Sequence, residues 1–484
     1  MGETLMKQVQ SPVSACEDSL PDGYYGKNFG PVPVGAKQHP GPTYREMLLA
    51  DPAAPPPAAI FPGNHEPKPC RIPYHYYWDP EIARLEDEHI WSKMWLVACR
   101  EEDIRNVGDR VNFDVRDKSY VIVRTEPNKF RAFRNACLHR GRTLCDGAGS
   151  GAHIRCQFHG WTYNLDGTVK WIPSESEFPI KDRSTLRLRE VRCATWGGNV
   201  FINADPKAPP LEEALGVLVE LFEEFNLRNR YTVSLLRQQL RVNWKVAQEA
   251  FQEAYHTMET HWDSLAVFSE TAYSMDVWLG ENSHISRSIT PTGVPSQYML
   301  DKVSVRDSVE QYVRLYNNME AAPGRGETIT DARNYLAELK RTQLQEQYGV
   351  ELEQPSNALM LDFVKYFMFP NFHPWWGYQF PITYRFMPIG LNPEECLMEI
   401  RMLAPANSEL PPSAKAVEVG FDEKCSDYPE LGFMGYIADQ DVANMVKVQK
   451  GMRAADDDQS PILSLSLEKQ IAAFYETYEK FLGL

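Results

Sequence analysis

Two short cysteine-histidine motifs constrain this chain more than any other feature. One residue separates Cys137 from His139, two residues separate Cys156 from His159, and sixteen residues lie between the motifs. Thiolates and imidazoles are the side chains that bind soft and borderline transition metals. Four such donors in two short segments predict a metal site held by two loops, around which this part of the chain must fold.

The arrangement of the four donors favours an iron–sulfur cluster. Each motif supplies one cysteine and one histidine, which is the pattern of a Rieske [2Fe–2S] centre, with Cys137 and Cys156 on one iron and His139 and His159 on the other. A zinc finger instead pairs two cysteines in one half and two histidines in the other. Structural zinc stays open as the alternative, because two cysteines and two histidines also suit tetrahedral Zn²⁺.

The motifs, together with the Gly160-Trp161 pair that follows, resemble the Rieske domain of ring-hydroxylating, non-haem iron oxygenases. Respiratory Rieske domains are similar but carry two further cysteines joined as a disulfide. Cys145 matches one of these, whereas Gln157 stands where its partner would be. The resemblance is therefore to the oxygenase type, and it implies an electron relay rather than a quinol oxidase.

Length, charge and cysteine usage bound the remaining choices. A chain of 484 residues is long enough for two or three domains, and its net charge of −16 disfavours nucleic-acid binding. Nine scattered cysteines do not form a disulfide framework. The sequence has neither a signal-peptide pattern nor an apolar run of membrane-spanning length. We expect a cytoplasmic protein that acts without membrane or nucleic acid.

Periodicity and turn residues predict an α+β protein with a small all-β domain and a larger mixed domain. We expect four parts: a Pro/Gly-rich N-terminal extension at 1–70, a helix packed on the catalytic domain at 71–95, the Rieske [2Fe–2S] domain at 96–210, and at 211–484 a catalytic domain with an antiparallel β-sheet flanked by helices. Predicted strands are 110–115, 119–124, 130–135, 161–163, 199–202, 235–242, 298–301, 383–387 and 396–403. Predicted helices are 79–95, capped by Asp79 with Pro80 in its first turn, 211–225, 308–318, 328–348 and 464–481.

A second pair of histidines, His256 and His261, predicts a second metal site. Two histidines and a carboxylate can hold Fe(II) in a facial triad with open positions for O₂ and substrate. On a continuous helix, however, a step of five residues turns the side chain by about 140°. The two histidines can share a metal only if the helix ends or distorts between them, and alone the spacing also fits two ordinary histidines.

The segment from Asn243 to His261 resembles the mononuclear-iron signature of the same oxygenase family. The resemblance implies that both histidines bind iron and that an Asp far downstream is the third ligand. Asp441 precedes Gln449 by eight residues, as in the family pattern, so we choose Asp441 over Asp439. The alternative is that either Asp caps a helix or lies in its first turn.

The segment departs from the commoner family pattern at Glu253 and Ala250, where Asp and Asn are usual. In the family this acid bridges a Rieske histidine of the neighbouring subunit to an iron-binding histidine. The resemblance thus implies that Glu253 is the electron-transfer bridge, with one extra methylene that alters hydrogen-bond geometry. A similar Glu occurs in Rieske monooxygenases that act on quaternary amines such as carnitine.

The resemblance covers about residues 75–480 and implies the catalytic α subunit of a Rieske oxygenase. Such a subunit takes electrons from NAD(P)H through a reductase or ferredoxin and uses O₂ to mono- or dihydroxylate an aromatic substrate at mononuclear Fe(II), as in aromatic hydrocarbon catabolism. It implies a homotrimer and leaves open a small β subunit, giving α₃β₃. Two alternatives remain: a monooxygenase acting by O- or N-demethylation or on a quaternary amine, and a Rieske electron carrier with a degenerate catalytic domain.

Overall fold

The computed structural model of the chain describes residues 44–269, 274–296, 299, 302–317, 319–406, 410–456 and 458–484. The first 43 residues of the expected N-terminal extension lie outside the described residues. The predicted strand at 298–301 falls there too, apart from residue 299.

Each predicted strand that falls within the described residues overlaps an observed strand, although the ends differ by up to five residues. They are β1 (Leu96–Arg100), β2 (Arg110–Val115), β3 (Lys118–Glu126), β4 (Lys129–Arg134), β5 (Ala148–Gly149), β6 (Ile154–Arg155), β7 (Thr162–Tyr163), β8 (Val169–Trp171), β9 (Glu190–Trp196), β10 (Asn199–Asn203), β11 (Arg230–Leu240), β12 (Ser274–Leu279), β13 (His284–Thr290), β14 (Phe363–Met368), β15 (His373–Trp376), β16 (Ile382–Pro388), β17 (Cys396–Pro405) and β18 (Ala416–Val419).

The helices follow the sequence prediction less closely. They are α1 (Tyr44–Leu49), α2 (Pro57–Ile60), α3 (Pro80–Glu86), α4 (Leu211–Leu215), α5 (Leu218–Leu221), α6 (Trp244–Glu249), α7 (Thr257–Thr260), α8 (Val305–Asn317), α9 (Ile329–Tyr348), α10 (Asn357–Leu361), α11 (Gly432–Ala454) and α12 (Lys469–Leu482). The single helix predicted over 211–225 is wrong, because Gly216, with φ of +49°, separates α4 from α5. Helix α3 is capped by Asp79 as expected but ends at Glu86 and continues as a π-helical turn, Asp87–Trp91.

Two sheets in the first half of the chain carry the cysteine-histidine motifs. Among the described residues, one sheet has the order β1-β10-β9-β4-β3-β2-β5, and a smaller one has the order β6-β7-β8. Val121 and Val123 of β3 and Phe133 of β4 pack on one face into a separate core, which also encloses Cys137 and Cys156. The two cysteines are therefore part of the interior of this small all-β unit.

The second half of the chain is organised around a larger sheet. In the described residues its order is β12-β13-β14-β15-β16-β17-β11-β18, with antiparallel neighbours except for the parallel pair β11 and β18. Along β14 the side chains alternate: Val364 and Tyr366 enter the core beneath α8 and α9, whereas Phe363 and Lys365 line a pocket on the opposite face. The expected α+β class is confirmed.

A buried ion pair joins the segment before the first sheet to the second half of the chain. Glu86 at the end of α3 contacts the ammonium group of Lys245 in α6 and accepts hydrogen bonds from Trp244 Nε1 at 2.9 Å and from Tyr478 at 2.6 Å. All four side chains are buried. The contact between Glu86 and Lys245 leaves neither buried charge unpaired. These contacts fix α6 close to the site described below.

The described end of the N-terminal extension also contacts the larger sheet. Ala58 O accepts hydrogen bonds from Arg287 Nη1 and Tyr366 Oη, and Tyr44 donates to Asp362. The segment is thereby held by buried polar groups. No helix of the described residues is long and apolar enough to cross a membrane.

Candidate metal centres

The two cysteine-histidine loops have the same backbone construction. Cys137 O accepts from the amide of Gly141, four residues on, and Cys156 O accepts likewise from Gly160, at 2.9 and 3.1 Å. The amide of each cysteine also donates to the carbonyl five residues on. Both glycines have positive φ, +75° and +79°, which favours residues without a Cβ. The repeated turn explains why the two motifs, though differently spaced, present their side chains together.

The donor atoms of these loops converge. Cys137 and Cys156 are buried, and Nδ1 of His139 lies 3.1 Å from Nδ1 of His159 at the more exposed side. Burial raises the pKa of the Cys137 thiol, and Cys156 raises it further, so a thiolate there needs a cation. Two sulfurs beneath two imidazole nitrogens fit a cluster with one iron bound by thiolates and the other by histidines.

Neighbouring groups orient the cluster ligands. Tyr163 Oη lies 3.2 Å from Cys137 Sγ and accepts from the amide of Leu138 at 3.0 Å. The Trp161 ring stacks on His139, with centroids 5.4 Å apart and planes 3° from parallel. Hydrogen bonds to cluster sulfurs and fixed imidazole planes are contacts that tune reduction potential.

Cys145 does not form the disulfide of respiratory Rieske domains. Its thiol is buried and lies 3.1 Å from Gly147 O, and none of the eight cysteines in the described residues is disulfide-bonded. Gln157, at the partner position, is exposed. The free thiol of Cys145 thus agrees with the resemblance to oxygenase-type Rieske domains, which lack the disulfide of the respiratory type.

The second histidine pair lies where the helix ends, as its spacing requires. Asn243 caps α6, accepting from the amide of Lys245 at 2.9 Å, and α6 stops at Glu249. A stretch of turns leads to the short α7, which His256 precedes and His261 follows. His256 and His261 thus flank a helix of four residues instead of lying within a longer one, and their imidazole centroids are 5.3 Å apart.

Helix α11 brings Asp441 to these two histidines. Asp441 Oδ1 lies 2.9 Å from His261 Nε2 and 3.6 Å from His256 Nε2, and one ligand atom from each residue lies within 4.8 Å of the others. Asp439 faces elsewhere, accepting from the amides of Cys425 and Ser426. The three residues chosen from the sequence, hereafter the triad, are therefore brought together.

The outer nitrogens of both histidines have fixed partners. His256 Nδ1 contacts the carboxylate of Glu253, which also accepts from the His256 amide at 3.1 Å, and His261 Nδ1 contacts Gln440 Oε1 at 2.8 Å. With Nδ1 occupied on both rings, the Nε2 atoms face Asp441. This is the arrangement in which carboxylate and amide groups orient metal-binding imidazoles. The donor set of two nitrogens and one carboxylate oxygen fits mononuclear Fe(II).

Glu253 and His256 shift each other's pKa. Burial favours the neutral form of each, but the Glu253 carboxylate raises the pKa of His256, and the His256 ring lowers the pKa of Glu253. The structure places Glu253 against an iron-ligand candidate. Its predicted contact with a neighbouring subunit stays a prediction, since one chain is described.

A largely apolar pocket of about 90 Å³ opens beside the triad. Its lining also includes Glu253 and the ammonium-bearing Lys365, and its apolar and aromatic walls are Ala250, Phe251, Ala254, Leu265, Phe363, Trp375, Phe380, Ile382, Tyr384, Phe433, Met434 and Ile437. A larger cavity of about 290 Å³ lies between α12 and the start of β13 and contacts no member of the triad. The smaller pocket is therefore the candidate substrate site, because it shares its wall with the metal ligands.

Sequence reasoning assigned no role to three residues of these centres. Gln440 was visible only as a neighbour of Asp441, Tyr163 as part of a short strand, and Lys365 as a polar residue between aromatic ones. Adjacency to a ligand could have suggested Gln440. Contacts such as Tyr163 with Cys137 depend on how separate segments meet, and no local pattern encodes them.

Two family models match the chain in consecutive regions. Residues 94–191 match the Rieske [2Fe-2S] domain, and residues 222–483 match the catalytic domain of the ring hydroxylating alpha subunit. The second match alone covers more than half of the chain.

Curated relatives include both monooxygenases and dioxygenases. The chain is 30% identical over 198 residues to the carnitine monooxygenase oxygenase subunit of Escherichia coli K12, which is 39% of this chain and 52% of that protein. It is 33% identical over 185 residues to the 2-aminobenzenesulfonate 2,3-dioxygenase subunit alpha of an Alcaligenes species, 37% and 47% of the two chains. The chain thus matches about half the length of these relatives.

Solved structures show the same fold over most of the chain. A quaternary ammonium Rieske monooxygenase matches with a TM-score of 0.57 at 18% identity, covering 85% of this chain and 95% of the other. Naphthalene 1,2-dioxygenase from a Rhodococcus species, bound to indole, matches with a TM-score of 0.55 at 20% identity, covering 85% and 94%. At such identities the likeness concerns the fold.

Proposed function

The chain belongs to the ring-hydroxylating α-subunit family, and from that premise we propose that it is the terminal oxygenase of a Rieske oxygenase system that hydroxylates an aromatic substrate. Its cofactors are a Rieske [2Fe–2S] cluster and a mononuclear iron, which sets aside zinc for the four loop donors. One observation carries the proposal: the triad converges on the wall of a largely aromatic pocket.

The residues present have separate tasks in this proposal. Cys137, Cys156, His139 and His159 hold the cluster, and the triad holds the iron. When bound, the cluster supplies single electrons and the iron supplies O₂ activation.

The chain's own groups prepare the second site for that chemistry. Glu253 and Gln440 fix the planes of His256 and His261 through their Nδ1 atoms. The aromatic walls, among them Trp375 and Tyr384, give the pocket an apolar lining against which a flat substrate can pack. Asp441 supplies the negative charge that two neutral imidazoles lack.

Electrons must come from outside the chain. We propose a ferredoxin or an NAD(P)H-dependent reductase as donor, a homotrimer in which Glu253 links the triad to the neighbouring subunit's cluster, and work in the cytoplasm. The exposed edge of His159 and the half-exposed His139 support this, because they leave the cluster end open to a partner. The mass of the purified complex distinguishes a homotrimer from an α₃β₃ assembly that contains a small β subunit.

A second candidate is a monooxygenase that demethylates its substrate or acts on a quaternary amine. The likeness to the carnitine monooxygenase subunit favours it, as do the aromatic rings of the pocket, since these can surround a cationic ammonium group. The third candidate, an electron carrier with a degenerate second domain, would need no converged triad.

Metal analysis and turnover test the proposal. We expect about three irons and two acid-labile sulfides per chain, and O₂ uptake coupled to hydroxylated product when a reductase, NADH and a panel of aromatic compounds are supplied. Two irons per folded chain would overturn the oxygenase and leave the carrier. In a parallel assay with O- or N-methylated compounds and a quaternary amine as substrates, release of formaldehyde or of a tertiary amine would instead select the second candidate.

A further inference from the structure

We propose that Lys365 binds an anionic group of the substrate, a carboxylate, so that the pocket selects apolar organic acids over neutral rings. This inference rests on the proposed function, because it takes the pocket beside the triad as the substrate site. It goes further by naming the residue that decides the substrate class.

Lys365 is a buried cation with unused hydrogen-bonding capacity. Lys365 is 6% exposed. Within the described residues, the only hydrogen bond of its ammonium group runs from Nζ to Glu253 O at 3.0 Å. An ammonium group has three N–H donors, so two remain for a partner. Leaving them unmet inside a protein costs free energy, which an acceptor in the pocket would recover.

The charges around the pocket do not neutralise Lys365. The pocket lining contains five other titratable side chains, Glu253, His256, His261, Tyr384 and Asp441. The Glu253 carboxylate is engaged by His256, and Asp441 faces the two histidines. Burial lowers the pKa of Lys365 to about 8, with Glu253 opposing the change, so the ammonium form predominates at neutral pH. Among the described lining residues no other Lys or Arg competes for an anion.

The surroundings of Lys365 suit a carboxylate attached to a flat apolar body. In the sheet Lys365 pairs with Trp375, whose ring centroid lies 5.9 Å from Nζ, and its neighbour on the same face is Phe363. Ser269 and Thr290 also line the pocket, and their buried hydroxyls have no hydrogen-bond partner within the described part of the chain. An acid whose oxygens meet the ammonium group and a hydroxyl would place its body between the aromatic walls, beside the triad.

A rival explanation is that Lys365 only positions the Glu253 segment through the bond to Glu253 O. The two roles predict different outcomes for matched ligands. A structural role affects an acid and its amide equally, whereas anion binding affects the acid alone.

Paired ligands and a matched variant test the proposal on the metal-loaded protein under anaerobic conditions. The probes are benzoate with benzamide, and the smaller butyrate with butyramide, and dissociation constants are measured by calorimetry. We expect each acid to bind wild-type protein more tightly than its amide. Lys365→Met should weaken acid binding by about 10- to 100-fold and change amide binding less than about twofold. Lys365→Arg should retain acid binding in part.

Lys340→Met is the matched control, because burial also lowers the pKa of Lys340 to about 8 but this lysine does not line the pocket. It should leave the acid-amide ratio unchanged. Cluster absorption and the melting temperature confirm that each variant is folded.

The proposal is overturned if no acid binds wild-type protein more tightly than its amide, or if Lys365→Met weakens acid and amide alike. Failure of the proposed function is a separate result, because binding is measured without turnover. Acid selectivity that depends on Lys365 would then persist in a protein with no coupled O₂ uptake.

Discussion

The two candidate metal centres differ in exposure. At the cluster end, His159 is exposed and His139 half-buried, whereas at the other centre His261 and Asp441 are only 2% and 4% exposed. Electron transfer between proteins is faster where a ligand edge lies near the surface, because tunnelling slows with distance, while oxygen chemistry is favoured in a site that excludes water. The difference supports the proposed roles, in which the cluster would accept electrons from a partner protein and the less exposed centre would use them at a bound substrate.

The centres also differ in how their ligands are held. Backbone hydrogen bonds shape both cluster loops, and each loop closes on itself through its glycine. At the triad, side chains from separate segments do this work: Glu253 and Gln440 hold the imidazoles, and α11 brings Asp441 from far along the chain. The cluster site is therefore local and independent, and the triad depends on the assembled domain.

Removing Asp441 tests this independence most severely. Asp441→Ala should lower turnover by at least about 100-fold and release the mononuclear iron, because two imidazoles alone hold Fe(II) poorly, while the visible spectrum of the cluster stays unchanged. Iron and sulfide content and O₂ uptake are the measurements.

Asp439→Ala, on the same helix, is the control for Asp441→Ala, since that carboxylate binds backbone amides instead. It should keep its iron. A loss of the cluster spectrum in Asp441→Ala would show that the two centres are not independent.

Glu253→Gln tests the connection between the centres. Both metals should be retained, because Glu253 is not a ligand, but transfer from the reduced cluster should slow by about 10- to 100-fold as the charged contact with His256 is lost. Single-turnover kinetics measure this step. Glu253→Asp should restore part of the rate, and Glu259→Gln, at an exposed position in the same segment, should have no effect. Unchanged kinetics in Glu253→Gln would remove Glu253 from the path.

Gln440→Leu sharpens the contrast in ligand support. It deletes the acceptor of His261 Nδ1 at similar volume, so iron affinity at the triad should fall by about tenfold, and the cluster should be unaffected. Competition with a chelator gives the affinity. Asn444→Leu, one turn along α11, contacts Thr260 instead and should leave the affinity as it is. Equal affinities in all three proteins would contradict a role for Gln440.

We expect Glu249 to make the stability of the larger domain depend on pH, with a smaller effect than those of the substitutions above. Burial raises its pKa to about 7, although hydrogen bonds from Tyr475 and Tyr77 oppose this. The pKa of Glu249 is higher in the folded state than in the unfolded state, where it is near 4.5. Protonated Glu249 therefore adds to the stability of the folded state fully below about pH 4.5, and this addition is lost as the pH rises through about 7.

Glu249→Gln should therefore be more stable than wild type at pH 8, by about 1–2 kcal/mol, and show less difference at pH 5. Melting curves at both pH values by far-ultraviolet circular dichroism, with cluster absorbance in parallel, test this. An equal difference at the two pH values would contradict the assignment of the pKa to Glu249.

Local patterns account for what the sequence could predict. Asp79 and Asn243 were recognisable as caps because a cap depends on the next few residues only. The motifs at Cys137 and Cys156 likewise contain their own ligands and glycines. The position of Asp441 came from a resemblance, since no local signal says which of two nearby aspartates faces a histidine 180 residues away.

The rest needed tertiary contacts. Gly216 is one glycine within a helical pattern, and the pattern does not tell that its φ is +49° or that a Cβ there would meet Ser283, so the break between α4 and α5 was not predictable. Lys365 alternates with aromatic residues on a strand, and the sequence does not tell which face of that strand meets a pocket. The fold class was predictable because hydrophobic periodicity survives such local exceptions.

The one-turn helix α7 between His256 and His261 makes the conformation of a short segment part of the metal equilibrium. An ion bound by both histidines closes the segment 256–261, and the entropy of ordering this segment is lost when the ion binds. Substitutions that rigidify the segment in its present shape would raise metal affinity without touching a ligand. Those that continue the helix through His261 would turn the two imidazoles apart and lower the affinity, so the segment sets a thermodynamic threshold for metal occupancy.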